Sequence, residues 1–261
     1  MKAPQTIDDK EFYKMDHKFR GKAIIFNHID FSDDMGGDDM HREGSKKDAE
    51  DLAKVLKGLG FEVDMYIDYT SEQTKKKLEN VARNKKRENA DSDCVLVVVL
   101  SHGDDKNQLA AYDKWYLDEE LWNPFLAENC PSLRGKPKLF FLNACRGLKR
   151  DMGVLTDNKP DNKKAEKITL PNHADFLIAR STPPGFVSYR NTTEGSHFIQ
   201  ALCEVLDPDK GAFDNDLLSL LVKAQGIVAS KEMGERYKQM PSFTCQLTKK
   251  MLMKDNKEKD S

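Results

Sequence analysis

Lys138-Leu139-Phe140-Phe141-Leu142-Asn143-Ala144-Cys145-Arg146-Gly147 is an apolar run with strand character that stops at a small residue, a cysteine, an arginine and a glycine. In an open α/β sheet, ligands gather just past the carboxyl ends of strands, where the backbone turns and amide groups become free. Cys145 occupies such an exit. A lone cysteine is about as often a small buried hydrophobe as a nucleophile. A second run tilts that balance: Cys94-Val95-Leu96-Val97-Val98-Val99-Leu100 ends in the same way, at Ser101-His102-Gly103. Two strand exits then present a thiol and an imidazole.

Outward from these two strands, the chain alternates. Residues 21–27 and 61–66 read as buried strands, with 31–44 between them a loop rich in Asp, Gly and Met. Ser45 is placed to cap a helix over 46–59, in which Ala49, Leu52, Ala53, Leu56 and Leu59 share a face and Gly60 ends it. Thr70 opens a charged amphipathic helix over 71–88 that buries Leu78 and Val81. The strand at 94–100 is apolar at every position, as a sheet covered on both faces requires. Residues 107–117 read as a small hairpin or loop, and Asp118 as the cap of a helix reaching Leu126. A fifth strand at 174–180, a loop at 181–193, helices over 195–206 and 214–230, and a last strand over 242–253 complete the order. Strand and helix in alternation specify a wound parallel sheet. Residues 148–171 carry no apolar period and read as a mobile linker, and 254–261 as a disordered tail.

Composition sets the bounds. A chain of 261 residues with 38% apolar side chains can close one large core, while a net charge of −2 offers no basic field for nucleic acid. No apolar run spans a bilayer and no secretory signal opens the chain, so a cytoplasmic protein is expected, with no membrane partner. The five cysteines and six histidines are scattered without metal-ligand spacing. Neither a metal nor a cofactor is expected.

The motifs resemble those of the caspases, cysteine proteases that cut after aspartate. Asn143-Ala144-Cys145-Arg146-Gly147 is similar to the family pentapeptide, Gln-Ala-Cys followed by Arg, Gln or Gly and then Gly. Tyr13-Lys14-Met15-Asp16, His41-Arg42-Glu43-Gly44, Ser101-His102-Gly103 and Ala174-Asp175-Phe176-Leu177 agree in order with it. So do the block from Ser181 through Pro184-Gly185-Phe186-Val187-Ser188-Tyr189-Arg190-Asn191 and the block Gly195-Ser196-His197-Phe198-Ile199-Gln200. The resemblance covers residues 16–253 and implies a three-layer α/β/α fold around a mostly parallel six-stranded sheet.

A thiol becomes a nucleophile as its thiolate, beside an imidazole that accepts the proton, and Cys145 with His102 fits that need. The resemblance implies that backbone N–H groups of Gly103 and Cys145 hold the oxyanion, each such donor being worth roughly 3 kcal/mol of barrier. It also implies a backbone carbonyl near Met40 as the acceptor that orients His102. Arg42 and Arg190 become the pocket for the P1 aspartate, two guanidinium forks matching one short carboxylate. Asn143 stands where the family has Gln, one methylene shorter, and a lower rate is expected from it before any loss of specificity. Val187, Ser188, Tyr189, Arg190 and Asn191 form the substrate-binding stretch, with Val187 and Tyr189 walling S2 and His197 beneath S4.

Further expectations follow from the resemblance. Residues 1–16 are a short propeptide released near Asp8 or Asp9, residues 17–157 a large subunit, 158–171 a processed linker and 172–261 a small subunit. Cleavage after Asp157, in Val154-Leu155-Thr156-Asp157, activates the chain, by the action of an upstream initiator caspase. The last strand, over 243–251, forms the seam of a homodimer, and an inhibitor-of-apoptosis-type protein is a partner on family grounds alone. The main reading is thus an aspartate-directed endopeptidase of cell death. An alternative is a weakly active or inactive homologue that regulates other caspases by binding. A related peptidase clan with basic or asparagine specificity is disfavoured by the paired arginines, and a nucleotide-binding domain by the lack of a glycine-rich loop after the first strand.

Overall fold

The structure is a computed structural model that describes residues 10–83, 89–147, 149, 174–232 and 237–253. β1 (Lys22–Asn27), β2 (Glu62–Ile67), β3 (Val95–Leu100), β6 (Lys138–Asn143), β7 (Phe176–Arg180) and β10 (Ser242–Cys245) form one six-stranded sheet. The order is β10-β7-β6-β3-β1-β2, parallel throughout except for β10, which runs antiparallel to β7. Every residue of β3 and β6 is buried. Alternate residues serve opposite faces, so Leu96, Val98 and Leu100 enter one core while Val95, Val97 and Val99 enter the other.

The first core lies under α1 (Ser45–Gly58), α3 (His197–Val205) and α4 (Leu217–Ser230), where Leu52, Leu56, Phe198, Leu202 and Leu221 meet Ile25, Val98 and Phe141. The second lies under α2 (Ser71–Ala82) and the turns over 118–125, where Leu78, Leu121 and Phe125 meet Phe26, Val97 and Phe140. Phe140 stacks on Phe176 with ring centroids 5.9 Å apart. Burying one such ring is worth roughly 1.5–3 kcal/mol. The wound parallel sheet expected from the alternation, and the three-layer α/β/α architecture that the resemblance implies, are therefore present. Two small ribbons complete it: β4 (Gln108–Ala110) with β5 (Trp115–Leu117), the expected hairpin, and β8 (Arg190–Asn191) with β9 (Gly195–Ser196).

Several local readings are corrected. Ser45 does not cap α1: Gly44 holds the N-cap position in left-handed backbone (φ 79°), and the Ser45 hydroxyl turns inward to Arg42 and Asn27. α2 ends at Ala82, its start fixed by the expected Thr70, which forms a reciprocal capping box with Gln73. The helix expected over 118–126 is two short 3₁₀ turns, Asp118–Leu121 and Asn123–Phe125, separated at Trp122, with Pro124 inside the second; the Asp118 carboxylate pairs with Arg180 at 2.9 Å. The loop at 31–44 contains two 3₁₀ turns, Asp33–Met35 and Gly37–Met40. Gly195 and Ser196 belong to β9, so α3 begins at His197.

The last strand is four residues long, because the chain then turns to pair with the N-terminal segment. Tyr13 N–H donates to the Lys250 carbonyl at 2.9 Å, and the Tyr13 hydroxyl donates to Asp175 at 2.7 Å. Tyr13 and Met15 are core residues, within the stretch read as propeptide. Asp8, Asp9, Asp157, most of the 148–171 linker and the 254–261 tail lie outside the described residues.

Candidate active site

The β3–β6 register pairs Leu100 with Asn143, which sets Ser101-His102 and Ala144-Cys145 at adjoining exits of the sheet. His102 Nε2 lies 2.8 Å from the Met40 carbonyl oxygen. A carbonyl only accepts, so Nε2 carries the proton and Nδ1 is left as the free acceptor. The ring also packs on Phe31, centroids 5.4 Å apart. Burial, with the charges of Arg42 and Arg190 behind it, lowers the imidazole pKa to about 4, against the upward pull of the Met40 bond. His102 is neutral at pH 7.

Cys145 is half-buried, and its Sγ accepts from the Ser188 N–H at 3.3 Å. Gly103 fits against this exit only as glycine. A Cβ there would collide with the Cys145 carbonyl oxygen and stand 3.0 Å from the Ala144 Cβ. The bridge between Gly103 and Leu109 is closed by bonds of the neighbours, Asp104 N–H to Gln108 and Ala110 N–H to His102, leaving the Gly103 N–H outside that ladder. Gly147 meets the same restriction: a side chain there would strike the backbone of Gly185, whose N–H donates to the Arg146 carbonyl.

One open cavity is lined by Arg42, Ser101, His102, Asn143, Ala144, Cys145, Ser188, Tyr189 and Arg190. Arg42 is 2% exposed. Its Nη1 donates to the His28 carbonyl and to the Ser45 hydroxyl, both at 2.7 Å, while its Nε has no partner among the described residues. Arg190 is half-buried with its Nε likewise without a partner. No ion pair joins either guanidinium to a carboxylate among the described residues. Burial, then the charge of Arg190, pushes the Arg42 guanidinium down; burial does the same to Arg190. Both remain charged at neutral pH, so the cavity holds two cations that lack an anion.

The remaining residues separate clearly. The Asn143 amide is engaged at both ends, its Nδ2 donating to the Ser196 hydroxyl at 2.9 Å and its Oδ1 accepting from the Ser188 hydroxyl at 3.3 Å. Tyr189 N–H donates to Gln239 Oε1 at 2.8 Å, and Gln239 Nε2 donates to the Ser181 carbonyl at 2.8 Å. Val187, Asn191 and His197 lie outside the cavity lining. Asn191 instead closes a turn, accepting from the N–H groups of Thr193 and Glu194. Sequence reasoning missed Ser45, Asp48, Ser196 and Gln239, which brace the lining. One signal was available for two of them: Ser45 and Asp48 interrupt the apolar face of α1 as polar residues aimed inward.

A thiol and a neutral imidazole at adjoining exits of an open parallel sheet, beside a doubly cationic cavity, define a cysteine peptidase. Comparison with known proteins carries this further. The family model of the caspase domain matches residues 20–252. The chain belongs to the caspase family, and it is a caspase-type cysteine endopeptidase. It is 41% identical over 251 residues to caspase-1 of Spodoptera frugiperda, covering 91% of this chain and 80% of that protein. It is 40% identical to caspase drICE of Drosophila melanogaster, over 93% of this chain and 72% of that one. With caspase-6 of Gallus gallus the identity is 35%, over 95% of this chain and 84% of the relative. The crystal structure of the Spodoptera frugiperda caspase-1 superposes with a TM-score of 0.83 at 38% identity, covering 97% of each chain. Among the described residues, no helix is long and apolar enough to cross a membrane.

Proposed function

We propose that the chain cleaves proteins after aspartate in apoptotic signalling, with Cys145 as nucleophile, His102 as general base and acid, and Arg42 with Arg190 as the P1 pocket. The observation that carries this reading is the pair of guanidinium groups without a carboxylate partner in the cavity that also holds Cys145 and His102. A P1 carboxylate supplies the missing anion, with two forks for its two oxygens. A neutral P1 side chain leaves both cations unpaired, which costs orders of magnitude in selectivity.

Each proton has a place in the reaction. Nδ1 of the neutral His102 takes the Cys145 proton, and the thiolate adds to the P1 carbonyl. The Gly103 and Cys145 N–H groups receive the oxyanion. His102, now doubly protonated, returns the proton to the leaving amine as the amide bond breaks. Water then hydrolyses the thioester, with His102 accepting its proton, and frees the thiol. The Met40 carbonyl holds the ring through both transfers.

Activation follows the resemblance: a cut after Asp157 separates a large chain, 17–157, from a small one, 172–261, and frees new ends to order around the pocket. The upstream protease is itself a caspase, the working form a dimer joined through β10, the compartment the cytoplasm, and the partners those of the family. Asn143 favours a second reading, a weak or inactive homologue that binds active ones, because its shorter amide is already engaged with Ser188 and Ser196. A peptide library varied from P1 to P4, applied to intact and Asp157-cleaved protein, separates them. The first reading expects cleavage confined to aspartate and strengthened by the cut. Absence of turnover, and of Cys145 labelling by an aspartyl electrophile, supports the second.

A further inference from the structure

The first turn of α1 touches both sides of the cavity. Ser45 accepts from Arg42 Nη1 at 2.7 Å. Three residues on, Asp48 is fully buried and accepts the Ser196 N–H with both carboxylate oxygens, each at 2.9 Å. It also accepts from Gln200 Nε2 at 3.0 Å. Ser196 pairs in register with Arg190 across the β8–β9 ribbon, and its hydroxyl holds Asn143. Gly195 yields space for the contact, since a Cβ there would overlap the Asp48 carboxylate. The carboxylate sits in the first turn of a helix, where the helix dipole favours negative charge. Its field also favours the charged state of both cavity arginines.

We propose that Asp48 is a positioning residue for substrate specificity, which sets Arg190 at a fixed spacing from Arg42 through the Ser196 N–H and the β8–β9 ribbon. The inference rests on the P1 reading above and deepens it. Arg42, in the loop before α1, is held by the His28 carbonyl just past β1 and by the Ser45 hydroxyl. Arg190 belongs to a two-residue strand whose partner, β9, is fastened to α1 by this carboxylate. Without Asp48, two guanidinium groups still stand in the cavity, but their spacing is no longer set. Recognition of the short P1 carboxylate suffers while the thiol and imidazole, which stand at the exits of β6 and β3, keep their places.

Two alkylating probes separate these effects. Iodoacetamide is small and neutral and, followed at Cys145 by peptide mass because Cys245 is also free and exposed, reports that thiol alone; acetyl-aspartyl fluoromethyl ketone must also occupy the P1 pocket. In the full-length Asp48→Asn protein, inactivation by the aspartyl reagent should slow about tenfold, the scale of losing a charge-assisted hydrogen bond. Its iodoacetamide rate should stay within about twofold of wild type, and KM for an aspartyl peptide should rise with kcat nearly constant. Equal slowing with both probes would make Asp48 merely structural and overturn the proposal, as would no slowing with either. Should Asp48→Asn fail to fold, Gln200→Met removes one bond to the carboxylate and should slow only the aspartyl reagent, by about threefold; unchanged or parallel rates there overturn it too. Wild-type protein that reacts with iodoacetamide but not with the aspartyl reagent would instead refute the P1 reading, and this inference with it.

Discussion

His102 and Cys145 leave strands in which every residue is buried, whereas Val187, Ser188, Tyr189 and Arg190 ride on a half-buried loop. The first pair inherits its spacing from the β3–β6 ladder, where backbone bonds repeat along five further residue pairs before the exit. The loop has no such ladder beyond two residues of β8. It is fixed by side chains that arrive from elsewhere: Gln239 on Tyr189, and Asp48 acting through Ser196. The sheet therefore positions the chemistry, and a few buried polar side chains position the selectivity. A division of this kind implies that mutations should damage one function and spare the other.

The hardest test of the division is Cys145→Ala. Peptide cleavage should fall by at least about 10⁴-fold, with peptide binding and melting temperature retained, because the nucleophile is lost and the strand exit is not. Residual turnover near the wild-type rate would place the nucleophile elsewhere and end the comparison. Next in size is Arg190→Gln on the loop side. Two charge-assisted bonds to the P1 carboxylate disappear, so kcat/KM for aspartyl peptides should fall by about 10²–10³-fold. The iodoacetamide rate at Cys145 should not follow it down.

Acid should distinguish the two sides in another way. His28 follows β1, is fully buried, and has no hydrogen-bond partner for either ring nitrogen among the described residues. Burial, with Arg42 nearby, lowers its pKa from 6.5 to about 3, while Asp113 opposes the shift. The unfolded chain thus binds a proton near pH 6.5 that the folded chain refuses until about pH 3. Stability is complete above the unfolded value and is lost as pH falls below it, by about 2 kcal/mol at pH 5 from this residue. Urea unfolding at pH 7 and pH 5 should show that loss in wild type and about 2 kcal/mol less of it in His28→Gln. An identical pH dependence in the two proteins would show that His28 is hydrated or paired in solution. His102 shifts in the same direction, so kcat/KM should show its acid limb near pH 4, not near 6.5.

The same division decides what could be read from the sequence. The sheet and its exits were legible, because central parallel strands must be apolar on every residue and must end where the backbone turns. Cys145 and His102 stand just past the paired ends of β6 and β3, and the Met40 carbonyl lies 2.8 Å from His102 Nε2. The braces were not legible. Asp48 and Ser196 are 148 positions apart, and Gln239 and Tyr189 are 50 apart. A bond from a side chain to a distant backbone N–H leaves no period in either segment. Ser45 shows the same limit at short range: a serine before a helix is read as a cap, and only the fold reveals Arg42 as its partner. The helix expected over 118–126 failed differently, since Pro124 and a carboxylate committed to Arg180 favour turns where Asp118 was read as a helix cap.

The smallest expected effect is also the sharpest on the loop side. Gln239 is 2% exposed, and its one amide satisfies both Tyr189 N–H and the Ser181 carbonyl. Gln239→Leu keeps the volume and leaves both backbone groups unpaired, a cost of about 1–3 kcal/mol that the loop escapes by moving toward water. That movement carries Tyr189 and, one residue on, Arg190 away from the cavity. KM for an aspartyl peptide should rise about tenfold with kcat within about twofold of wild type, since nothing in the β3–β6 ladder is touched. A fall in kcat at constant KM would mean that the loop orients the thiol as well, through the Ser188 N–H that donates to Cys145 Sγ at 3.3 Å. In that case chemistry and selectivity share one support, and the separation between sheet and loop is wrong at that hydrogen bond.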